Sequence, residues 1–124
     1  MKKILLVILA VFFMFSCSSW NNNLDVINPD ADYIYFYWKT CPHCIEVNKY
    51  FTENDIMNKY KIEKREVWNN AENSEIFKQK IEELWIASES VWVPFVLKKI
   101  DNSYVIWDEP IKKLFDANVP LLSN

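Results

Sequence analysis

The sequence predicts an α/β fold with a central mixed four-stranded sheet, helices on both faces and the element order β-α-β-α-β-β-α. Residues 33–38 form an apolar, aromatic-rich run without polar alternation, which is typical of a strand buried on both faces. Two segments with helical periodicity separate the first three predicted strands, and helices between strands imply crossover connections. The last two strands flank a short turn, so they add an antiparallel edge to the sheet.

The first predicted helix begins at Pro42, because proline is tolerated in the first turn of a helix. Cys44, Val47 and Phe51 then follow at positions i, i+3 and i+7, which is the spacing of one apolar helix face. The polar residues 52–55 predict that this helix ends or bends there.

The second strand is predicted over residues 60–68, where apolar side chains stand among charges, and the second helix follows it. Asn73 or Ser74 is the expected cap, since a side-chain oxygen can accept from a free amide of the first turn. We expect this helix to end near residues 88–90. Its apolar face is predicted from the i, i+4, i+7, i+8 spacing of Phe77, Ile81, Leu84 and Trp85.

The C-terminal part predicts a strand, a turn, a returning strand and a helix. Residues 91–100 are rich in β-forming side chains, and residues 104–107 form the return strand. Asn102 lies in the turn between them, where it is the best available residue for positive φ. Pro110 opens the last helix, which ends by Pro120. Its expected inward side chains are Ile111, Leu114 and Phe115.

The composition narrows the class of protein. A chain of 124 residues is long enough for one domain with one core. The absence of glycine excludes the Gly-rich phosphate-binding loops, including the dinucleotide-binding fingerprint. It also predicts that any turn with positive φ uses Asn or Asp.

The N-terminal segment has the pattern of an export signal. Two lysines precede an apolar run at residues 4–15, which is shorter than the ~20 residues that span a bilayer but suits a signal peptide. The small residue before Cys17 resembles the bacterial lipobox, in which the cysteine is lipidated and becomes the mature N-terminus. A plain secretory signal and an uncleaved anchor are the alternatives. We predict a signal peptide at residues 1–16 and a lipid on Cys17, which holds the protein at a membrane surface.

The remaining boundaries and the charge follow from this assignment. Residues 17–31 predict a lipidated, flexible tether, residues 32–120 the folded domain and residues 121–124 a tail. Removal of residues 1–16 leaves 12 basic and 17 acidic residues, a net charge of −5, which argues against nucleic-acid binding. We expect an exported monomer that faces the periplasm or the cell surface.

The sequence Cys41-Pro42-His43-Cys44 joins the first predicted strand to the first helix. A thiolate is the reactive form of cysteine, and the free amides and positive dipole at a helix start stabilise an anion. We therefore predict that Cys41 is the nucleophile and that Cys44, one turn further and more buried, resolves the mixed disulfide. His43 stabilises the Cys41 thiolate if it carries charge or donates a ring N–H toward sulfur. The alternative for His43 is an exposed residue without influence on the thiols.

Two other interpretations of the dithiol stay open, a structural disulfide and a metal site. Zinc prefers four ligands, and only His43 and the distant Cys17 could join the pair. We therefore predict no metal and no cofactor other than the redox-active disulfide Cys41–Cys44.

The element order, the CxxC motif at the first strand–helix junction and Val93-Pro94 before a strand together resemble the thioredoxin superfamily over about residues 33–115. The Pro-His dipeptide resembles DsbA-type periplasmic oxidases, and the short core resembles glutaredoxin. The resemblance implies that Pro94 is cis and faces the dithiol, and that Val93 offers backbone hydrogen bonds to a substrate chain. The helical insertion of the DsbA family and the glycine pair of glutaredoxins are absent. Tyr35 stands about where thioredoxins carry a buried acid.

Further substrate contacts are predicted beside the motif. Trp38 and Trp92 form an apolar rim that holds extended protein substrates near the dithiol, together with Pro42. Core packing is the alternative for both tryptophans. Lys39 and Glu46 are charged neighbours whose simplest interpretation is a solvated surface.

These expectations combine into one functional hypothesis. The chain is predicted to be an exported, membrane-anchored thiol–disulfide oxidoreductase that exchanges disulfides with protein thiols, with the oxidising direction favoured. An unidentified redox partner, expected in the membrane, recycles the pair. The alternatives on the same fold are a metal-delivery module and a client-specific reductase of the cytochrome-maturation type.

Overall fold

The computed structural model describes residues 27–116, within which four strands and four α-helices form. The strands are β1 (Tyr33–Tyr37), β2 (Ile62–Glu66), β3 (Phe95–Lys98) and β4 (Tyr104–Ile106). The helices are α1 (Pro42–Glu53), α2 (Ile56–Lys59), α3 (Ala71–Glu83) and α4 (Asp108–Phe115), and Ser88–Ser90 adds a 3₁₀ turn. None of the helices in this range is long and apolar enough to cross a membrane.

The strands form one mixed sheet in the order β2-β1-β3-β4. β1 runs parallel to β2 and antiparallel to β3, and β3 runs antiparallel to β4. The predicted α/β architecture with a mixed four-stranded sheet is confirmed. β1 lies between two neighbours, and residues 34–36 are almost completely buried.

Side chains along a strand alternate between the two faces of the sheet. Helices cover both faces, so both sets of side chains are buried. Tyr33 and Tyr35 of β1 point toward α1, α2 and α4, where Val47, Phe51 and Phe115 complete one core cluster. The other face carries Ile34, Phe36, Phe95 and Leu97, which pack against Ile76 of α3. Because both faces of β1 are buried, its sequence does not alternate between apolar and polar side chains.

α1 forms as the apolar spacing predicts. Pro42 occupies the first turn, and Cys44, Val47 and Phe51 are the buried residues of the helix. The chain then turns at Asp55, whose φ is 55°, and continues into the short helix α2, which the sequence analysis did not anticipate.

The prediction for α3 is wrong at both ends. The cap is Asn70, whose side-chain oxygen accepts from the Asn73 amide at 2.9 Å, so the helix starts earlier than expected. The helix ends at Glu83, because Trp85 adopts φ 56° and turns the chain. In this turn the Ile86 amide donates a hydrogen bond to the Ile81 carbonyl. Trp85 is therefore 95% exposed rather than on the apolar face.

Positive φ occurs at Asp55 and Asn102, as the lack of glycine predicts, but also at Trp85 and Trp107. The expectation that only Asn or Asp would adopt positive φ is therefore wrong. Trp107 has φ 76° and ψ 156°, in a region that essentially only glycine occupies without strain. The residue directly follows β4 and precedes α4.

The C-terminal elements are shorter than predicted. β3 spans four residues and β4 three, and α4 starts at Asp108 instead of Pro110 and ends at Phe115 instead of near Pro120. Ile111 and Phe115 are buried as expected. Leu114, which was also expected to face inward, is half-buried against the same cluster.

Residues on the N-terminal side of β1 contact the domain. The Asn28 amide donates to Glu63 at 2.9 Å, and Lys99 donates to the Asn28 carbonyl at 2.8 Å. Ala31 is buried. The part of the predicted tether that the structure describes therefore lies against the sheet. The predicted signal peptide, Cys17 and the predicted tail at residues 121–124 lie outside the described residues.

Candidate redox site

One end of each of the four strands lies on the same side of the sheet. This edge is the one formed by the strand ends, not the one along an outer strand. β1 and β2 are parallel, so the residues after both strands lie there, and they include Trp38 and Trp68. Phe36 pairs with Phe95 at the start of the antiparallel β3, which brings Val93 and Pro94 to the same edge. Phe95 in turn pairs with Ile106 at the end of β4, so Trp107 and Asp108 follow there. The dithiol motif begins at this edge.

Cys41 is the N-terminal cap residue of α1, and Cys44 lies in the first turn of that helix. Both thiols are free. The Cys41 amide donates to the Trp38 carbonyl at 3.2 Å, and the Cys41 carbonyl accepts from the Ile45 amide at 3.0 Å. These bonds fix the turn between β1 and α1 and hold Cys41 at the positive end of the helix.

The two sulfurs differ in access and in partners. Cys41 retains 9% exposure, whereas Cys44 is completely buried. The Cys41 sulfur lies 3.8 Å from the carbonyl oxygen of Val93, and the Val93–Pro94 peptide bond is cis. The structure therefore brings together Cys41 and Val93-Pro94, as the sequence analysis expected.

The surroundings of Cys44 favour its neutral thiol. Burial raises the pKa of Cys44 from 9.0 to about 12, although the Trp38 amide, which donates to its sulfur at 3.5 Å, acts in the opposite direction. The Tyr35 hydroxyl donates to the Cys44 carbonyl at 3.4 Å. Burial also raises the pKa of Tyr35, so it remains a neutral phenol. Within residues 27–116 no charged residue is buried, so no buried carboxylate lies beside Cys44.

We expect iodoacetamide to modify Cys41 well before Cys44 in the reduced, native protein at pH 7 to 9. Cys44 is buried and its pKa of about 12 keeps it protonated over that range. The pKa of Cys44 is higher in the folded protein, at about 12, than in the unfolded chain, at about 9. The free energy of unfolding should therefore fall as the pH rises from about 9 to about 12, because only the unfolded chain releases the Cys44 proton in this range. Peptide mapping measures both sites, with an unfolded sample as control. Equal alkylation rates of Cys41 and Cys44 in the native protein would contradict the asymmetry.

His43 is directed toward α4. Its Nδ1 lies 3.0 Å from Oδ1 of Asp108, and its ring meets the Trp107 ring edge-on at 5.2 Å between centroids. Partial burial raises the pKa of Asp108, but the hydrogen bonds from its own backbone amide and from His43 lower the pKa by a larger amount. The net pKa of Asp108 is therefore below its ordinary value. The carboxylate is therefore ionised at neutral pH.

The aromatic side chains near the motif are solvent-accessible. Trp38 stacks on Trp68 with centroids 4.6 Å apart, and Trp68 is 69% exposed. Trp92, next to Val93, is 62% exposed, and Pro42 is also exposed. Trp92 is thus not a core residue, and Trp38 is half-buried. Lys39 and Glu46 are exposed charges.

Trp68, Trp107 and Asp108 also lie at this site and were not predicted from the sequence. All three follow the ends of strands that meet at the edge occupied by the motif, so a correct strand order is the signal that finds them. Asp108 is 65 residues from His43 along the chain, and no local pattern connects the two.

No protein-family model, curated protein or solved structure matches this chain. The described residues contain no group of three or more His, Cys, Asp or Glu side chains that could hold a metal ion.

Proposed function

We propose that the protein is a thiol–disulfide oxidoreductase with a thioredoxin-like domain, in which Cys41 exchanges disulfides with protein thiols and Cys44 closes the cycle. The observation that carries the proposal is the asymmetry of the pair. Cys41 lies at a helix start beside a backbone carbonyl, whereas Cys44 is buried one turn further with its pKa raised to about 12. A static disulfide does not require the two thiols to differ in this way.

The proposed oxidising reaction starts from the Cys41–Cys44 disulfide. A client thiolate attacks the Cys41 sulfur, a mixed disulfide forms, and Cys44 leaves and takes up a proton. A second client thiolate then attacks the client sulfur of the mixed disulfide and releases Cys41 as a thiolate. The client gains a disulfide and the pair gains two electrons. Because burial raises the pKa of Cys44 to about 12, the released Cys44 sulfur is protonated at neutral pH.

The direction of electron flow depends on how strongly the Cys41 thiolate is stabilised. The pKa of CxxC nucleophiles ranges from ~7 to ~3.5, and the lower limit raises the potential by roughly 100 mV at pH 7. The helix start at Cys41 and the Pro-His dipeptide support the oxidising direction. A partner then has to reoxidise the pair, and the proposed location of that partner is the membrane.

Substrate binding is proposed along the edge of the site. Val93 and Pro94 lie beside Cys41, and an extended client chain passing there meets the backbone of Val93. Trp92 and Trp68, which stacks on the half-buried Trp38, offer exposed rings at the same edge, and such rings suit apolar client side chains. Pro42 contributes an exposed ring at the helix start.

The proposed cellular setting rests on the N-terminal sequence. A lipid on Cys17 would hold the domain at a bacterial membrane outside the cytoplasm, where disulfides persist. Acylation also accounts for the third cysteine, which otherwise has no partner in an exported protein.

The test is catalysed disulfide exchange with protein substrates. The oxidised protein should introduce disulfides into a reduced, unfolded protein, and the reduced protein should cleave the disulfides of insulin. Acid quenching and mass spectrometry measure both reactions. Rates equal to the uncatalysed background in both directions would refute the proposed function.

A further inference from the structure

The side chain of His43 is held by residues of another element. Nδ1 of His43 lies 3.0 Å from Oδ1 of Asp108, the first residue of α4. Because the Asp108 carboxylate is ionised at neutral pH, it can only accept a hydrogen bond. The proton of the neutral imidazole must therefore sit on Nδ1, and Nε2 is left as a lone-pair acceptor.

The backbone before Asp108 is strained. Trp107 has φ 76° and ψ 156°, a conformation that strains a non-glycine residue and is concentrated at functional sites. The Trp107 amide donates to the Pro94 carbonyl at 3.1 Å, which ties this turn to the segment facing Cys41. The Trp107 ring also lies edge-on to the His43 ring. Both contacts fix Asp108 and His43 against each other.

Other charges around the pair belong to α1 and α4. Lys112 lies 3.7 Å from Oδ2 of Asp108 and 3.2 Å from Glu109, and Glu46 of α1 acts on Lys112 at longer range. Lys112 approaches the oxygen of Asp108 that His43 does not use. The thiols of Cys41, two residues before His43, and of Cys44, the residue after it, are the other titratable groups at this end of α1.

We propose that Asp108 is a positioning residue that fixes His43 in the Nδ1-protonated tautomer, so that Nε2 accepts the proton of an incoming client thiol. The inference rests on the proposed function and assigns a general base to it. His43 is suited to this role because half of its side chain is exposed, in the same helical turn that follows Cys41.

The proton balance of the step is complete. The client thiol gives its proton to Nε2 of His43, its sulfur bonds to the Cys41 sulfur, and the Cys41–Cys44 bond breaks. Cys44 leaves as a thiolate and becomes a thiol, with the proton returned from the imidazolium through solvent. The client sulfur is oxidised and Cys44 is reduced. A client thiol of ordinary acidity, pKa ~8.5, is mostly protonated at pH 7, so a base accelerates its attack.

The experiment measures the rate at which the oxidised full-length protein reacts with a peptide that contains one cysteine. Asp108→Asn keeps the size of the side chain, but its amide can donate to Nδ1 and thereby favour the wrong tautomer. We expect the rate constant at pH 7 to fall at least about tenfold, since general-base catalysis typically contributes more than that. The deficit should disappear above pH ~9, where the peptide thiol ionises by itself.

His43→Asn should slow the reaction to the same extent, and the double variant should be no slower than either single variant. Glu109→Gln is the matched control, because it removes a neighbouring carboxylate that also binds Lys112 but does not contact His43. It should react like the wild type. Thermal unfolding checks that each variant is folded. If Asp108→Asn does not fold, His43→Asn still tests the inference, because the half-exposed His43 side chain tolerates substitution.

Three results would overturn the inference while leaving the proposed function intact. They are an unchanged rate for Asp108→Asn at pH 7, a deficit that is constant from pH 6 to 9, and an equal loss in Glu109→Gln. If the wild-type disulfide does not react with the peptide at all, the proposed function itself is refuted, and the inference with it.

Discussion

Replacement of Cys41 by serine should abolish disulfide exchange, whereas replacement of Cys44 by serine should convert the protein into a trap for its clients. A serine hydroxyl does not attack disulfides, and the completely buried Cys44 cannot take over from Cys41. In the Cys44→Ser variant Cys41, which retains 9% exposure, still forms a mixed disulfide, but no second thiol within the motif resolves it.

The two variants are compared under identical conditions in the exchange assays and by non-reducing electrophoresis after acid quenching. Cys41→Ser should show background rates and no adducts. Cys44→Ser should show adducts that dithiothreitol removes, with the disulfide mapped to Cys41. Cys17→Ser in the same background controls for adducts through the third cysteine. Retained exchange in Cys41→Ser, or adducts through Cys44 in that variant, would contradict the assigned roles.

Replacement of Phe51 by alanine should cost about 3–5 kcal/mol of the free energy of unfolding, as for other large-to-small changes at buried aromatic residues. Phe51 is buried and anchors α1 to the sheet through Tyr35, with ring centroids 5.3 Å apart, and to α4 through Phe115, at 5.2 Å. Domains of this size are stable by about 5–15 kcal/mol, so the change removes much of the total.

Chemical denaturation followed by circular dichroism measures this loss. Ile45→Ala is the matched control on the same helix, because the Ile45 side chain is half-exposed and its truncation should cost less than about 1 kcal/mol. The exchange rate should fall in Phe51→Ala only in proportion to the unfolded fraction. If the two variants were equally stable, Phe51 would not be an anchor of α1.

The sequence predicts local features of the fold best. Residues 33–38 identify the central strand because apolar side chains on both faces leave a continuous run, and the spacing from Cys44 to Phe51 identifies α1. The ends of α3 were missed because capping at Asn70 and the positive φ of Trp85 compete with the periodic pattern. Periodicity shows where a helix can continue, but the backbone of Trp85 decides where it stops.

The candidate site was predicted in part for the same reason. Cys41, Cys44 and Val93-Pro94 belong to local patterns, and the structure brings Cys41 to the Val93 carbonyl. The partner of His43 depends on strand order, since Asp108 reaches it only because β4 ends at the edge where α1 begins. Such long-range contacts leave no periodic signal in the sequence.

The most direct test of the account is a redox titration of the wild-type protein in glutathione buffers, with alkylation and mass spectrometry to count free thiols at Cys41 and Cys44. We predict one reversible two-electron transition in which both thiols change together, at a potential nearer to about −120 mV than to about −270 mV. A pair that remains in one oxidation state between about −100 and −300 mV would contradict the central claim that Cys41 and Cys44 form a working redox couple.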